Sequence, residues 1–146
     1  MASTQDFKNH TRWDPPFHYF LAPVLVLNFA FSITYVVRHY PDHAKLGGWW
    51  IVMSLALIVL MEKTRGYALK AQNRVIRLEE KLRLLQLCSP EELVELESLT
   101  IDQYVGLRFA SNPELPELAR RAIREKLTRK QIKESIKSWR ADNDRV

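Results

Sequence analysis

The chain has 146 residues, carries 22 Lys and Arg against 17 Asp and Glu for a net charge of +5, and is 47 % hydrophobic. That length bounds one ordinary domain, and a single cysteine, Cys88, excludes an internal disulfide framework. No Gly-rich phosphate loop, haem-binding cysteine motif or pair of intramembrane carboxylates occurs, so no cofactor is expected and no catalytic or metal site is assigned.

The apolar residues are concentrated between Phe17 and Met61. "DPP" (Asp14–Pro16) reads as an N-cap followed by prolines where a first turn needs no donors. It opens the 21-residue stretch Phe17–Val37, whose polar side chains besides tyrosines are His18, Asn28, Ser32 and Thr34. About 20 apolar residues at ~1.5 Å each cross a ~30 Å hydrocarbon layer, so this is a transmembrane helix. Pro23 is expected to kink it near its start, freeing the carbonyl of Tyr19. Asn28 falls near mid-membrane, where an amide needs a partner. The antiparallel pairing places Ser54 at similar depth, and an intramembrane Asn28–Ser54 hydrogen bond is expected, within the chain or with a neighbouring copy. A short outer loop over 38–46 follows.

The second apolar stretch, Leu46–Met61, reaches only ~24 Å and spans if its helix runs on to Tyr67, with Lys63 and Arg65 extending to the interface. Nothing stops it there. Between Gly48 and Ser89 there is no proline, and the one glycine, Gly66, costs about 1 kcal/mol against alanine. Ala68, Ala71, Val75, Leu78, Leu82 and Leu85 step by alternating threes and fours, an a/d stripe. The same stepping continues backwards through Leu57, Ser54, Trp50 and Gly47. The segment 47–88 is therefore predicted as one helix of about 60 Å, half in lipid and half in water. Gly47, Trp50, Ser54, Leu57, Ala68, Val75, Leu78, Leu82 and Leu85 are its expected packing and oligomerisation positions. Glu79 and Arg83 are an expected i,i+4 pair. The stripe has two possible partners, the chain's own C-terminal part or neighbouring copies. Ile76, Leu84 and Leu87 lie off it, which suits one partner on each face.

Residues 89–146 read as a cytoplasmic helical domain. Capping boxes begin at Ser89 ("SPEE"), Thr100 ("TIDQ") and Thr128 ("TRKQ"). They predict helices to about Glu97, to about Ala110, and a last helix with Ile132, Ile136 and Trp139 on one face. A further helix is expected behind Asn112 as cap. Residues 89–119 hold one basic against seven acidic residues, and 120–140 nine basic against two acidic. The split charges either pair within the domain or meet between copies. The basic surface Arg129, Lys130, Lys133, Lys137 and Arg140 could contact protein, anionic headgroups or, through a helix-turn-helix, nucleic acid. Protein contact is preferred and nucleic acid is not the expected partner.

Orientation follows from the basic residues near the span ends. Residues 62–88 carry seven Lys and Arg against three Glu, marking the cytoplasmic side and placing both termini inside. Lys63, Arg65, Lys70 and Arg74 then meet anionic headgroups. Trp13, Phe17, Tyr19 and Tyr67 suit the inner interface, and Tyr35, Tyr40, Trp49 and Trp50 the outer one. The sequon at Asn9 would face the cytoplasm and is read as chance. No basic n-region with a short apolar core and cleavage site occurs, so a cleavable signal peptide is not expected. A buried hairpin in a soluble protein is the competing reading, but too little polar chain remains to cover two such segments.

Among the histidines, His10 and His18 read as interfacial or capping. The pair in "HYPDH" (His39, His43) has metal-ligand spacing, but Pro41 breaks the helix that would align them. Cys88 reads as a packing residue at a helix end.

The segments "FKNHTRWDPPFHYF", "KTRGYALKAQNRVIRLEEKLRL" and "LRFASNPELPELARRA" with "LTRKQIKESIKSWRAD" resemble a family of small uncharacterised bacterial two-span membrane proteins. The resemblance implies a bacterial envelope setting and the same architecture, and brings no function with it. The expectation is an all-α integral membrane protein of the inner membrane, a transmembrane hairpin whose second helix continues into the cytoplasm beside a small helical unit. It would act without catalysis, by association, as a homo-oligomeric scaffold or as an accessory subunit of a larger membrane complex. The alternative is a membrane-tethered module whose basic C-terminal helices bind a soluble partner or nucleic acid.

Overall fold

The computed structural model describes Phe7 and residues 14–142; residues 1–6, 8–13 and 143–146, with the Asn9 sequon, His10 and Trp13, lie outside the described residues. Among the described residues the regular structure is helical, without strands. A π-helical turn Pro16–Leu21 leads into α1 (Ala22–Arg38), followed by α2 (Ala44–Leu87), α3 (Pro90–Leu96), α4 (Ile101–Leu107), α5 (Leu115–Arg124) and α6 (Arg129–Ser135). Pro16–Arg38 and Ala44–Leu87 are each long and apolar enough to cross a membrane. α2 begins at Ala44, so the loop after α1 is only residues 39–43. Compact packing divides the chain within α2, between Ala68 and Leu69.

In the first unit, Pro23 does not simply break the helix. The turn before it is widened: the Ala22 N–H donates to the Phe17 carbonyl, five residues back. A proline has no donor and crowds the carbonyl four residues earlier, and the π-helical turn absorbs both. Asp14 does not cap this helix, whose N-cap position is Pro15 without a side-chain bond. Its carbonyl instead accepts from the His18 backbone N–H at 2.9 Å and from His18 Nδ1 at 2.8 Å.

In the second unit, α3 to α6 enclose a core of Leu84, Leu96, Leu99, Tyr104, Leu107, Phe109, Leu115, Leu118, Ile132 and Ile136, filled in by alanines. The three capping boxes start α3, α4 and α6, each with both reciprocal bonds formed. Residues 103–110 are buried throughout. Within α4, Gly106 is closely packed: a Cβ there would lie 3.1 Å from the Ile132 side chain and 3.3 Å from the Arg129 carbonyl, so those neighbours would have to give by a few tenths of an ångström. Gln103 does double duty, closing its own cap and donating to the Ala122 carbonyl at 2.9 Å.

Three expectations fail here for tertiary reasons. α5 is not capped by Asn112; its N-cap position is Glu114, without a side-chain cap bond. The Glu114 carboxylate is instead taken by the backbone N–H groups of Lys137 and Ser138. α6 ends at Ser135, because Ile136 is extended. The chain then runs back along residues 109–111, with Ser111 N–H donating to Ser138 O and Arg140 N–H to Phe109 O. Trp139 is therefore not on the face of α6, although its ring still packs on Phe109, centroids 5.1 Å apart.

Candidate functional site

In each unit one face of α2 packs within the chain and the rest of its surface is open. In the first, the helices of the hairpin approach where side chains are small. Gly47 is buried, and a Cβ there would fall 2.4 Å from Val36 Cγ2. Ser32 and Ser54 are fully covered. Asn28 lies between them and Trp50: its Nδ2 donates to Ser54 Oγ at 2.7 Å, and its Oδ1 accepts from Trp50 Nε1 at 3.2 Å. The Ser54 hydroxyl in turn donates a hydrogen bond to the Trp50 carbonyl at 2.8 Å. The amide thus has partners for a donor and an acceptor inside one chain. The structure brings Gly47, Trp50, Ser54 and Asn28 together on the intramolecular face, whereas Leu57 is exposed. The remaining apolar surface, including Val26, Leu27, Phe31, Val52, Leu55 and Leu60, points outward. Only 6 % and 11 % of the most apolar windows of the two helices is buried.

At the far end of α1, Tyr35 stacks on His39, centroids 4.5 Å apart, with His43 a further 5.9 Å from His39. His39 Nδ1 donates to the Tyr35 carbonyl at 2.9 Å. Among the described residues no third His, Cys, Asp or Glu joins them. Of the expected headgroup residues, Arg65 is engaged within the unit. Its guanidinium lies over the Phe17 ring, 4.3 Å from the centroid, and 3.9 Å from the Asp14 carboxylate. Lys63, Lys70 and Arg74 are exposed.

The second unit uses α2 in a way the sequence pattern conceals. The face turned to the core carries Ile76, Glu80, Arg83 and Leu84, all buried. Arg83 is the clamp. Its Nη1 donates to Glu80 Oε2 at 3.0 Å, its Nη2 to the Ala110 carbonyl at 2.5 Å, and its Nε to Asn112 Oδ1 at 2.7 Å. Asn112 is occupied by this bond rather than by a helix cap. The expected Glu79–Arg83 pair does not form; Glu80, one turn back on the buried side, replaces Glu79. Burial pushes the Glu80 carboxyl above its ordinary range, opposed by the Arg83 charge, and burial likewise draws Arg83 downward. A cleft of about 910 Å³ beside this pair is lined by Arg108, Arg140 and Asp142 and, from α2, by Val75, Glu79 and Leu82. Its charges answer one another, Arg108 meeting Asp142 at 3.1 Å and Arg140 meeting Glu80 at 3.9 Å.

The a/d stripe lies on the opposite side. Val75, Leu78, Leu82 and Leu85 are 53–60 % exposed, and none of them joins the core. At 100° per residue they fall about 140–160° to either side of Glu80, Leu78 and Leu85 on one flank and Val75 and Leu82 on the other, where they form the open rim of the cleft. Ala68 is half-buried. The expectation of one sticky edge from Gly47 to Leu85 is corrected accordingly. The upper residues pack on α1 and the lower ones are open. A seven-residue repeat drifts about 20° per heptad around a straight helix, so positions four heptads apart do not share a face.

The opposed charges of the C-terminal part meet inside it at Glu92 and Glu117, while other basic residues pair with acids of their own half. Arg120 bonds Glu92 and Glu117, Arg121 bonds Glu125, and Lys130 lies 3.8 Å from Glu134. Of the expected basic surface, Arg129, Lys130, Lys137 and Arg140 are exposed. Lys133 is not: it is buried, with its Nζ 5.1 Å from the centroid of the Phe109 ring. Cys88 is half-buried against the core, and burial raises its thiol pKa, the chemistry of a packing residue. Sequence reasoning missed Glu80, and gave Asn112 and Lys133 other roles, a helix cap and an exposed basic surface, than the bond to Arg83 and the burial beside Phe109. The only signal for Glu80 was Ile76 and Leu84 flanking two charges at helical spacing.

The chain belongs to a family of unknown function, DUF6526, whose pattern matches residues 1–146. No curated protein and no solved structure matches it.

Proposed function

We propose that this chain is an integral protein of the bacterial inner membrane, with both termini in the cytoplasm, and that it acts by association rather than by catalysis. The hairpin is the anchor. Its outward surface is apolar nearly throughout, which suits acyl chains and suits water poorly. The basic residues that follow the second span orient it, and Lys63 and Lys70, nearest the span end, meet anionic headgroups there, each contributing about 1 kcal/mol. The observation that carries the association is the open stripe Val75, Leu78, Leu82 and Leu85, left uncovered while the reverse face of the same helix holds the C-terminal unit. Such a surface suits a homo-oligomeric scaffold or an accessory subunit of a larger membrane complex. The tethered-module alternative, resting on the basic helices, is less favoured because Lys133 is buried beside Phe109 and Arg140 is turned to Glu80, which breaks up the basic surface.

The test is the mass of the native assembly, extracted in mild detergent. Leu78→Lys with Leu82→Lys is expected to release the chain from it while leaving helix content intact. An unchanged mass, or a wild-type chain already alone, would sink the reading.

A further inference from the structure

Resting on that reading, we infer that the occupant of the open stripe is a second copy of this chain, packed parallel and in register. Taking Val75 and Leu82 as a positions and Leu78 and Leu85 as d positions, the flanking g and e sites follow. Arg74 and Lys81 fall at g; Gln72, Glu79 and Gln86 fall at e. In a parallel in-register pair, each g side chain meets the e side chain five residues on in the other helix. Arg74 then faces Glu79 of the second copy, and Lys81 faces Gln86. Both Arg74 and Glu79 are exposed, and among the described residues neither has an ion pair within the chain. An antiparallel pair sets g against g and e against e, bringing Arg74 and Lys81 to one another. The charges thus select the parallel arrangement.

Residue types at the seam agree. Valine at one of the two a positions, the other being Leu82, with leucine at both d positions leans towards two strands. Topology agrees as well, because two copies inserted the same way leave the bilayer along the same helix in the same direction. The seam is short, about two heptads where a free coiled coil needs three or four. A partner held in the same bilayer compensates through its raised effective concentration.

The experiment is cross-linking of the full chain in native membranes, in a Cys88→Ser background. Leu78→Cys and Leu85→Cys, introduced separately, are each expected to give a covalent dimer several-fold more readily than the off-stripe Arg77→Cys. An antiparallel pair brings at most one level opposite itself, so cross-linking at both levels reports the parallel register. Arg74→Glu is expected to lower the Leu78→Cys yield several-fold, and Glu79→Arg in the same chain to restore it. Equal yields from Arg77→Cys, or no stripe cross-link, overturn the inference. If the stripe gives no dimer yet the lysine pair still releases the chain from a larger native assembly, self-pairing is wrong and association stands. If neither occurs, both fall.

Discussion

Replacing Arg83 by methionine keeps the length and apolar stem of the side chain and removes its charge and all three of its hydrogen bonds. Two of its partners are buried. Glu80 is left with Arg140 as its nearest cation, at 3.9 Å, and the Ala110 carbonyl loses a charged donor. Asn112 is exposed and rehydrates. Breaking a buried pair from one side costs about 3–5 kcal/mol, because the other charge stays behind without compensation. Against a typical total of 5–15 kcal/mol, that is a large share of the stability of the C-terminal unit. The assay is hydrogen exchange of the α4 amides 103–107 in the full chain, which sit in the core and open only when the unit does. A loss of that size speeds their exchange by about two to four orders of magnitude, at 1.36 kcal/mol per tenfold. The double variant Glu80→Leu with Arg83→Met removes both charges and should recover most of the loss. An Arg83→Met loss below about 1 kcal/mol, the range of exposed pairs, would refute the clamp. A double variant no better than the single one would do the same.

Three further outcomes follow from the same coordinates. Asn28→Leu removes the bonds to Ser54 and Trp50 and should cost the hairpin about 1–3 kcal/mol, at roughly 0.6–1.7 for each intramembrane bond, read by SDS titration of the purified chain; an unchanged midpoint contradicts it. Gly47→Ala places a methyl against Val36 and should destabilise the hairpin by about 1–3 kcal/mol, with Val36→Ala restoring part of it, whereas a neutral Gly47→Ala would mean the helices separate at no cost. The Glu80 pKa is raised by burial, so the folded protein holds that proton more tightly than the unfolded chain. Its contribution is full below the ordinary value of 4.5 and is lost as pH rises through the folded value. Glu92 works the other way. Its pKa is lowered first by the Ser89 backbone bond and then by Arg120, so its contribution is present above 4.5 and lost in acid. Denaturant melts across the acidic range should therefore show Glu80→Gln gaining relative to wild type as pH rises, and a relative loss would show the carboxylate to be net stabilised by Arg83.

What the sequence disclosed and what it withheld divide by range. The starts of α3, α4 and α6 are written in four-residue boxes whose two bonds close within one turn, so no distant contact is needed to read them. The pairing of Asn28 with Ser54 was legible because an amide amid apolar residues has few places to go. Asn112 and Glu114 carry side chains suited to helix starts, but each accepts from a segment more than 20 residues away, Arg83 in one case and the strap at Lys137 in the other. Local propensity cannot weigh a partner that only the fold supplies. The stripe on α2 misleads in a more useful way. Periodicity alone assigns the most apolar face of a helix to its own core. Here the core-facing side is centred on Glu80 and Arg83, affordable only because Arg83 finds an amide, a carbonyl and a carboxylate at once. Leucines so regularly spaced, yet left outside a core that has its own Leu84, Leu107 and Leu115, are unneeded for folding this unit. An exposed leucine seam lowers solubility unless something covers it, and a stripe over half exposed at four successive heptad positions therefore points beyond the single chain.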